Sequence, residues 1–528
     1  MKPTYSISNI KNLISGIQYV LLLMLLICSS CNDWLDGALP QDRNLASQQF
    51  SSERGIHAVL NGLYDNLASN DLYGGRLTTT DIELLANYYY YEHNISTNQY
   101  AAYTTFKHIS EYQWAEPAVS NALTAIWNSA YRTIFEINTF IESMSTLPSG
   151  IIPEERKNVY MGEAYGMRAY IHFDIWRLFG FDNQNIPYNQ SADVTPHTRI
   201  PMNSFFELLL KDIERAAELL QNDPILTQGV MDLNAAANAA ASSSDIFYYY
   251  MRNYRMNYYA VQALKARIIM YRGSVTNNLL DIREASNIAT TILEQTQNNN
   301  EVNLFRWASP NIEELNDSRD YIFYNEIIFG IFNPDLHTRW IERTIGSSIG
   351  RIYSVHLNHL ENNIFSASGN IRQWEDVRSR QWQQSAISSL IDRQYASCKF
   401  ENFGYSENNP RTNFQPLMRA SELHYIRAER FLREGNAEDA MIILNNIRER
   451  RGTQASSITD DPQTTTLARA NAILEAEQYK EFYGEGQIYF FLKRRNSDQI
   501  FDRNGSGSRL ELPERAFRPP LPERELSN

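Results

Sequence analysis

The stretch SELHYIRAERFLREGNAEDAMIILNNIRERRG, residues 421–452, contains two successive runs of apolar residues with helical periodicity. The first run reaches Gly435, and the second begins directly after Asn436. Small alanines occupy positions where two packed helices would approach closely, and glycine commonly ends a helix. The stretch therefore predicts two helices joined by a short turn, that is, a helix hairpin.

A second stretch has the same internal order. The segment YYAVQALKARIIMYRGS (258–274) reaches Gly273 and is followed by REASNIATTILEQ. Paired helices that recur about every 30–40 residues are typical of tetratricopeptide repeats, which stack into a superhelix. The sequence therefore predicts a mainly α fold with a superhelical scaffold of helix hairpins. Helical periodicity is found at 119–143, 154–180, 199–221, 254–273, 282–296, 417–434 and 437–450.

Long stretches of weak periodicity separate these helices. They are rich in Asn, Ser, Gly and aromatic residues and span 70–118, 226–250 and 299–416. Loops of this length in a compact protein are usually functional or carry short strands. We therefore expect irregular, loop-rich stretches that either are functional or carry a few short strands. The mature chain is predicted to form one interwoven globular unit, with an N-terminal region at 31–298 and a C-terminal region at 299–528.

Residues 1–30 have the pattern of a secretory signal peptide. Lys2 and Lys11 precede an apolar run of nine residues, 19–27, and no Asp or Glu occurs before Asp33. Nine residues are far short of the roughly 20 that a membrane-spanning helix needs. A basic start followed by a short apolar run is instead typical of a segment that is removed on export.

Cys31 follows two small residues, Ser29 and Ser30. It resembles the lipid-carrying first residue of a mature bacterial lipoprotein, and we predict cleavage after residue 30 and lipidation of Cys31. Two alternatives are a redox or metal pair formed by Cys28 and Cys31, and a retained membrane anchor. A redox pair would need a neighbouring strand–helix unit, and a metal pair would need a second pair of cysteines. The sequence has neither beside Cys28 and Cys31.

The net charge of −13 limits the classes of partner. Binding to nucleic acid needs concentrated Lys and Arg, and so does electrostatic binding of a protein to an anionic membrane. We predict neither. Cys398 is the one thiol expected beside Cys31 in the mature chain, so no intramolecular disulfide is predicted. The 32 tyrosines outnumber the 24 phenylalanines, which favours a contact surface because a phenol combines a flat apolar face with a polar group.

Several segments together carry a family resemblance. They are CNDWLDGALPQD at 31–42, AIWNSAYRTIFEINTFIE at 125–142, GEAYGMRAYIHFDIWRLFG at 162–180, LHYIRAERFLREGNAEDAMIILNNIRERRG at 423–452, YKEFYGEGQIYFFLKRR at 479–495 and FRPPLPERELSN at 517–528. In order and extent these segments resemble the SusD/RagB lipoproteins of Bacteroidetes. Departures such as Gln487, where many members have Arg, fall at scaffold positions.

The resemblance implies both a fold and a role. The implied fold has tetratricopeptide-like helices on one side and a less regular, ligand-binding half on the other. The implied role is that of a surface-exposed lipoprotein at the outer membrane, which covers a SusC-like TonB-dependent transporter. Such proteins capture an oligosaccharide, or a peptide in RagB-like members, and deliver it to the transporter.

The stretch ANYYYYEHN, residues 86–94, contains four consecutive tyrosines, Tyr88, Tyr89, Tyr90 and Tyr91. Because successive side chains point in different directions, the four cannot all lie in one core. Tyrosine rings stack on the apolar faces of sugar rings, and their hydroxyls pair with sugar hydroxyls. We predict that two of the four contact ligand. The alternative is a hydrophobic strand packed against the helices.

The third irregular stretch carries further candidate ligand contacts. Exposed tryptophan offers the largest stacking platform, and neighbouring charged groups can bond sugar hydroxyls. The alternatives are packing for the tryptophans and loop salt bridges for the charged residues. The predicted set comprises Trp307, Arg339, Trp340, Trp374, Asp376, Arg378 and Trp382. Trp127 and Trp176, in contrast, fall on helical patterns and are predicted to be core residues.

No enzyme motif is found in the sequence. HLNH at 356–359 lacks the Glu and the spacing of a helical zinc hydrolase, and GSGS at 505–508 precedes no phosphate-binding helix. We therefore predict a binding protein without a cofactor, a metal or catalytic residues. The alternatives are a peptide-binding member of the same family, a pure assembly scaffold, and a lipoprotein glycosidase. The glycosidase would need two cleft carboxylates about 5–10 Å apart.

Overall fold

The computed structural model describes residues 49–526 apart from short gaps. The signal peptide, Cys31, Tyr90 and Tyr91 therefore lie outside the described residues. The chain divides into two compact units, Met1–Ala58 and Val59–Asn528. The gaps are at 90–99, 182–183, 194, 196, 231–241, 243–244, 298–303, 345–353, 367–370, 372–373, 385–393, 403–408 and 410.

Helices dominate the described part of the chain, as predicted. In chain order they are α1 (Glu53–Leu67), α2 (Asp81–Leu85), α3 (Tyr100–Ser110), α4 (Pro117–Ser145), α5 (Glu154–Phe179), α6 (Met202–Leu219), α7 (Ile225–Gln228), α8 (Tyr258–Val275), α9 (Leu279–Gln297), α10 (Ile312–Ser318), α11 (Leu336–Thr344), α12 (Ala420–Arg433), α13 (Ala437–Arg450), α14 (Leu467–Glu481), α15 (Ile488–Arg494) and α16 (Glu523–Leu526).

The longer helices pack against one another in succession. Helix α5 contacts α4 and α6, α6 contacts α8, and α8 pairs with α9. Helix α9 then contacts α12, which pairs with α13, and α14 packs on both members of that pair. The contact between α9 and α12 crosses the predicted division at 298/299, which remains a prediction. This order confirms the predicted scaffold of helix hairpins.

The glycines of the two predicted hairpins, Gly435 and Gly273, have different structural roles. Between α12 and α13, Gly435 has a φ of +80°, a conformation that glycine adopts without strain. Asn436 then caps α13 by accepting a hydrogen bond from the backbone N–H of Asp439. Gly273, which we expected to end a helix, lies inside α8. A Cβ there would meet the Cβ of Asp281 at 2.8 Å, so this glycine permits the close approach of α9.

Helix α5 lies at the centre of the N-terminal half. Its side chains are buried almost all round from Val159 to Phe179, whereas α6 buries one face. A helix covered on every side belongs to the interior of a bundle. Trp127 on α4 and Trp176 on α5 are both buried, which confirms their prediction as core residues.

The described strands are few and short, as predicted, and all of them pair antiparallel. The longest pair, β3 with β7, runs from Ile327 opposite Arg419 to Phe332 opposite Phe414. The strands are β1 (Ile186–Pro187), β2 (Arg199–Ile200), β3 (Ile327–Phe332), β4 (Ser354–His356), β5 (Trp382–Gln384), β6 (Gln394–Ser397), β7 (Phe414–Arg419), β8 (Gln499–Phe501) and β9 (Arg509–Glu511). They form the sheets β1–β2, β3–β7, β4–β6–β5 and β8–β9.

Candidate ligand-binding surfaces

Tyr88 and Tyr89 lie in the core, each with 1% of its surface exposed. The Tyr88 hydroxyl donates to the backbone carbonyl of Tyr479 at 3.0 Å, and the Tyr89 hydroxyl donates to that of Thr79 at 2.6 Å. These two rings are therefore unavailable to ligand, and the predicted pair of ligand contacts in this run falls on Tyr90 and Tyr91, which lie outside the described residues. The physical reason lies at Asn87, whose φ of +54° turns the chain inward after α2. Its side-chain amide is bonded to the Phe501 carbonyl at 2.7 Å.

Two of the predicted tryptophans belong to the same aromatic core. Trp382 stacks on Tyr88 with ring centroids 6.1 Å apart and an angle of 10° between the planes. Trp340 is 1% exposed, and its indole N–H donates to the carbonyl of Ser397 at 2.7 Å. Both side chains are occupied by packing and hydrogen bonding inside the protein. Their prediction as stacking platforms is wrong.

Trp374, Asp376 and Arg378 are also buried, so they are unavailable to ligand. The Trp374 ring packs on Phe365 with centroids 5.2 Å apart. Arg378 bonds both oxygens of Asp376, at 2.9 and 2.7 Å. It also donates to Glu477 at 2.8 Å and to Glu481 at 2.9 Å. The alternative of a salt bridge, considered above for the loops, holds for Asp376 and Arg378, although their network is buried and reaches α14.

Arg378 is part of a buried ion network that ties β7, α13 and α14 together. Glu481 accepts hydrogen bonds from Arg378, Arg419 and Arg451. Arg419 and Arg451 both pair with Glu326 as well. Burial alone would raise the pKa of the Glu481 carboxyl, but the surrounding guanidinium groups hold that pKa well below its ordinary value. These charges are paired with one another and enclosed, so the network belongs to the interior of the fold and is unavailable to ligand.

Trp307 and Arg339 are the predicted residues that keep part of their surface. Trp307 is half-buried, with the His424 ring 4.9 Å away and the Arg451 guanidinium carbon 4.7 Å from its centroid. Arg339 keeps 29% of its side chain exposed and pairs with Asp335 at 2.7 Å. Trp307 lies beside the ion network, whereas Arg339 lies on α11 and pairs with Asp335. No contact among the described residues joins Trp307 and Arg339 in one site.

A second run of tyrosines forms a surface that the sequence analysis missed. Residues Ile246–Tyr250, IFYYY, make a π-helical turn in which Tyr248 is buried. The guanidinium carbon of Arg156 lies 4.4 Å from the Tyr248 ring centroid and 5.4 Å from that of Tyr249. Arg156 also donates to Asp245 at 3.0 Å. We call the half-buried Tyr249 and Tyr250, with Arg156 and Asp245, the tyrosine surface. Phe247 packs instead against Arg255 and Tyr254.

The tyrosine surface combines aromatic faces with one charged donor and one charged acceptor. Burial would raise the pKa of Asp245, but bonds from Ser242 and Arg156 outweigh burial and lower that pKa. The carboxylate is therefore ionised at neutral pH and accepts hydrogen bonds. Burial raises the pKa of Tyr248 to about 12, which keeps its phenol protonated. The sequence signal for this surface is a run of consecutive tyrosines, which is the same kind of signal as the run at 88–91.

Within the described residues, no helix has the length and apolar character to cross a membrane. Within the same residues, no cluster of three or more His, Cys, Asp and Glu side chains is placed to hold a metal ion.

Similarity to known proteins identifies the family. A family model described as "Starch-binding associating with outer membrane" matches residues 33–246, and the "SusD family" model matches 361–509. SusD-like protein P2 of Formosa agariphila is 23% identical over 238 residues, 43% of this chain and 41% of that protein. SusD-like protein P38 of the same organism is 31% identical over 98 residues, 18% of each chain. The chain thus spans less than half the length of the curated relatives it matches.

Solved structures share the fold at low sequence identity. A SusD superfamily protein from Bacteroides thetaiotaomicron has a TM-score of 0.61 at 19% identity, covering 90% of this chain and 98% of that one. A SusD-like carbohydrate binding protein from Bacteroides vulgatus has a TM-score of 0.55 at 15% identity, covering 85% and 84%. These likenesses show the fold, and the two family models, which together match more than half of the chain, show that the chain belongs to the SusD/RagB family.

Proposed function

We propose that this protein captures an oligosaccharide or polysaccharide at the cell surface for nutrient uptake. It delivers the glycan to a SusC-like TonB-dependent transporter and is held at the outer membrane by a lipid on Cys31. The observation that carries the proposal is the match of residues 33–246 to a family described as starch-binding and associating with the outer membrane. The protein from Bacteroides vulgatus that shares the fold is described as carbohydrate binding, which agrees with it.

The tyrosine surface offers the chemistry that a sugar ring requires. Tyr249 and Tyr250 supply aromatic faces, on which the apolar C–H face of a pyranose stacks. Arg156 and Asp245 supply a donor and an acceptor for hydroxyl groups beside those rings. Tyr90, Tyr91, Trp307 and Arg339 stay predicted ligand contacts that are to be tested beside this surface.

The protein acts as a binding protein without catalysis in this proposal. A glycosidase needs two carboxyl groups that reach the substrate. Glu477 and Glu481 line up on α14, but both are buried and bonded to Arg378. Paired in this way, the two carboxylates have no access to a glycosidic bond.

Affinity electrophoresis tests sugar capture directly. The chain from Asn32 is run in native gels that contain single polysaccharides, with mixed peptides as competitors. We expect retardation by one glycan, and its loss in the double variant Tyr249→Ala/Tyr250→Ala. Phe135→Ala is the matched control, since it removes an aromatic side chain that is 38% exposed on α4. This control should leave retardation unchanged.

The other outcomes reassign the ligand or the site. Loss of retardation in Tyr90→Ala/Tyr91→Ala, with the tyrosine surface variant still retarded, would move the sugar site to the first run. Binding of peptides and of no glycan would overturn sugar capture in favour of the RagB-like alternative. Delivery is tested separately by purification of the lipidated protein in mild detergent. A SusC-like barrel should co-purify, and its absence would contradict the partnership.

A further inference from the structure

The tyrosine surface carries one ion pair, and the carboxylate is the more exposed member of that pair. Arg156 donates to Asp245 at 3.0 Å. The Arg156 side chain is 12% exposed, whereas the Asp245 side chain is 32% exposed. The Tyr248 ring covers the guanidinium further, since its centroid lies 4.4 Å from the guanidinium carbon. A ligand that approaches this surface therefore has better access to the negative charge than to the positive one.

The two arginines that follow the π-helical turn are enclosed. Arg252 is buried and bonds Asp223 at 2.8 Å and Glu163 at 2.6 Å. Arg255 is also buried, and its guanidinium carbon lies 4.7 Å from the centroid of the Phe247 ring. Neither guanidinium group is accessible to a ligand, so neither supplies positive charge to the tyrosine surface.

The chain around the turn is acidic. Residues 216–251 contain four acidic residues and no Lys or Arg. Burial and the exposed Glu155 of α5 both raise the pKa of Tyr248, so this carboxylate is within electrostatic reach of the turn. The half-buried Lys157 on the same helix faces Glu154 at 4.0 Å. The excess charge that the described residues place beside the tyrosine surface is thus negative.

We propose that the tyrosine surface accepts uncharged glycans and rejects glycans that carry carboxylate or sulfate groups, with Asp245 as the residue that sets this preference. The inference rests on the proposed sugar capture and adds the class of sugar. Stacking on Tyr249 and Tyr250 requires an apolar ring face, which charged and uncharged sugars both have. Discrimination therefore has to come from repulsion, and an anionic group beside Asp245 meets a like charge. Arg156 could compensate for that group only by leaving Asp245.

Polysaccharides that share a backbone and differ in charge test this preference. Native gels contain pullulan, xylan or galactan, each in a carboxymethylated form and in a hydroxyethylated form of equal substitution. Both derivatives block the same hydroxyl groups, but only the first is charged. The chain from Asn32 should be retarded more strongly by the hydroxyethylated form of the glycan that it binds. The difference should shrink as salt is added, because salt screens exposed charges.

Asp245→Asn is the sharper test because its two expected effects have opposite signs. The variant keeps the size of the side chain but removes the negative charge beside Arg156. Affinity for the carboxymethylated glycan should rise about two- to fivefold, the range for one exposed charge pair. Affinity for the hydroxyethylated glycan should fall, because a charged acceptor for hydroxyl groups is lost. A purely structural role of Asp245 would lower both affinities.

Glu514→Gln is the matched control for the net charge of the chain. Glu514 is an exposed acid outside the tyrosine surface, and it pairs with Arg518 at 2.9 Å. This variant should leave retardation by both derivatives unchanged. Equal changes in Glu514→Gln and Asp245→Asn would overturn the role of Asp245.

The remaining outcomes separate this inference from sugar capture. If one glycan retards the unmodified protein equally in its carboxymethylated and hydroxyethylated forms, the preference for uncharged sugars is overturned and sugar capture stands. Retardation by neither form of any glycan would contradict sugar capture itself, and this inference with it.

Discussion

Two runs of tyrosines in this protein have opposite environments. Tyr88 and Tyr89 are enclosed by α14 and β5, and both hydroxyls donate to backbone carbonyls. Tyr249 and Tyr250 are half-buried, and Tyr249 lies beside Arg156, which pairs with an ionised aspartate. Composition alone does not separate the two runs. The difference follows from the backbone that carries them.

The backbone directs the two runs differently. In the first run, Asn87 has a left-handed conformation, and its amide anchors the following residues against β8. In the second run, the π-helical turn of Ile246–Tyr250 rotates successive side chains about its axis, so Tyr248 is buried while Tyr249 and Tyr250 are half-buried. A short run of identical residues thus becomes core or surface according to local geometry.

The largest expected difference between the runs is in stability. Tyr88→Ala removes a ring that contacts Trp382, Tyr479 and Tyr483, and should lower the free energy of unfolding by about 3–5 kcal/mol. Tyr249→Ala removes a half-buried ring and its contact with Arg156, and should cost about 1 kcal/mol or less. Urea unfolding monitored by circular dichroism measures both. Equal losses would show that the tyrosine surface is part of the core.

Glu83, which precedes the first tyrosine run, allows the burial of this region to be tested through the pH dependence of stability. Glu83 is fully buried, and burial raises its pKa from 4.5 to about 8 although it accepts the Gly486 N–H. The folded state therefore holds a proton that the unfolded state releases, and stability is lost as pH rises from 4.5 towards 8. In Glu83→Gln this loss is absent. Between pH 5 and 8 the unmodified protein should lose roughly 3 kcal/mol relative to the variant.

The control for this measurement is Glu401→Gln, which also replaces a glutamate whose pKa burial raises, but one that is only half-buried. It should show a smaller pH-dependent difference from the unmodified protein than Glu83→Gln does. A constant difference between Glu83→Gln and the unmodified protein from pH 5 to 8 would mean that water reaches Glu83. The first run would then be less enclosed than its contacts imply.

Much of the fold could be predicted from the sequence because helices are encoded locally. The predicted helix at 154–180 is observed as Glu154–Phe179, and 437–450 as Ala437–Arg450. The predicted helix at 417–434 begins three residues late, at Ala420. Its first residues instead belong to β7, whose partner β3 lies more than 80 residues earlier in the chain. Such pairing has no local signal.

The ligand-binding residues were harder to predict because burial depends on distant partners. Arg339 and Trp340 are adjacent on α11, yet one pairs with an exposed aspartate and the other lies in the core. Arg378 meets Glu477 and Glu481 only because α14 packs beside it. An aromatic or charged residue in an irregular stretch has the same sequence signature in either environment. The tyrosine run at 248–250 was visible, but its exposure was not.

A third test compares single hydroxyl groups. Tyr89→Phe leaves the Thr79 carbonyl without its donor in a buried site, and should cost about 1–2 kcal/mol of unfolding free energy. The Tyr249 hydroxyl accepts a long bond of 3.4 Å from Arg156, and Tyr249→Phe should cost less than about 0.5 kcal/mol. Urea unfolding of the two variants at pH 7 distinguishes them. A larger loss for Tyr249→Phe would reverse the comparison.

The smallest expected effect on stability concerns Asp245 in the tyrosine surface. Bonds from Ser242 and Arg156 outweigh burial and lower its pKa below 3.8, the opposite of the shift at Glu83. A lowered pKa contributes stability that is present above pH 3.8 and is lost as pH falls through the lower, folded-state value. Asp245→Asn should therefore be slightly less stable than the unmodified protein at pH 7, and the difference should shrink as the pH falls below 3.8.

The same variant connects stability to the proposed function. If the tyrosine surface binds sugar, Asp245→Asn should weaken retardation by glycan at pH 7 while its unfolding changes little, because a charged acceptor for hydroxyl groups is replaced by a neutral amide. Glu83→Gln is the opposite case: its difference in stability from the unmodified protein changes strongly with pH, and its retardation at pH 7 should be unchanged. If both variants changed retardation in parallel with stability, the two runs would belong to one cooperative unit, and the assignment of the second run to the surface would be wrong.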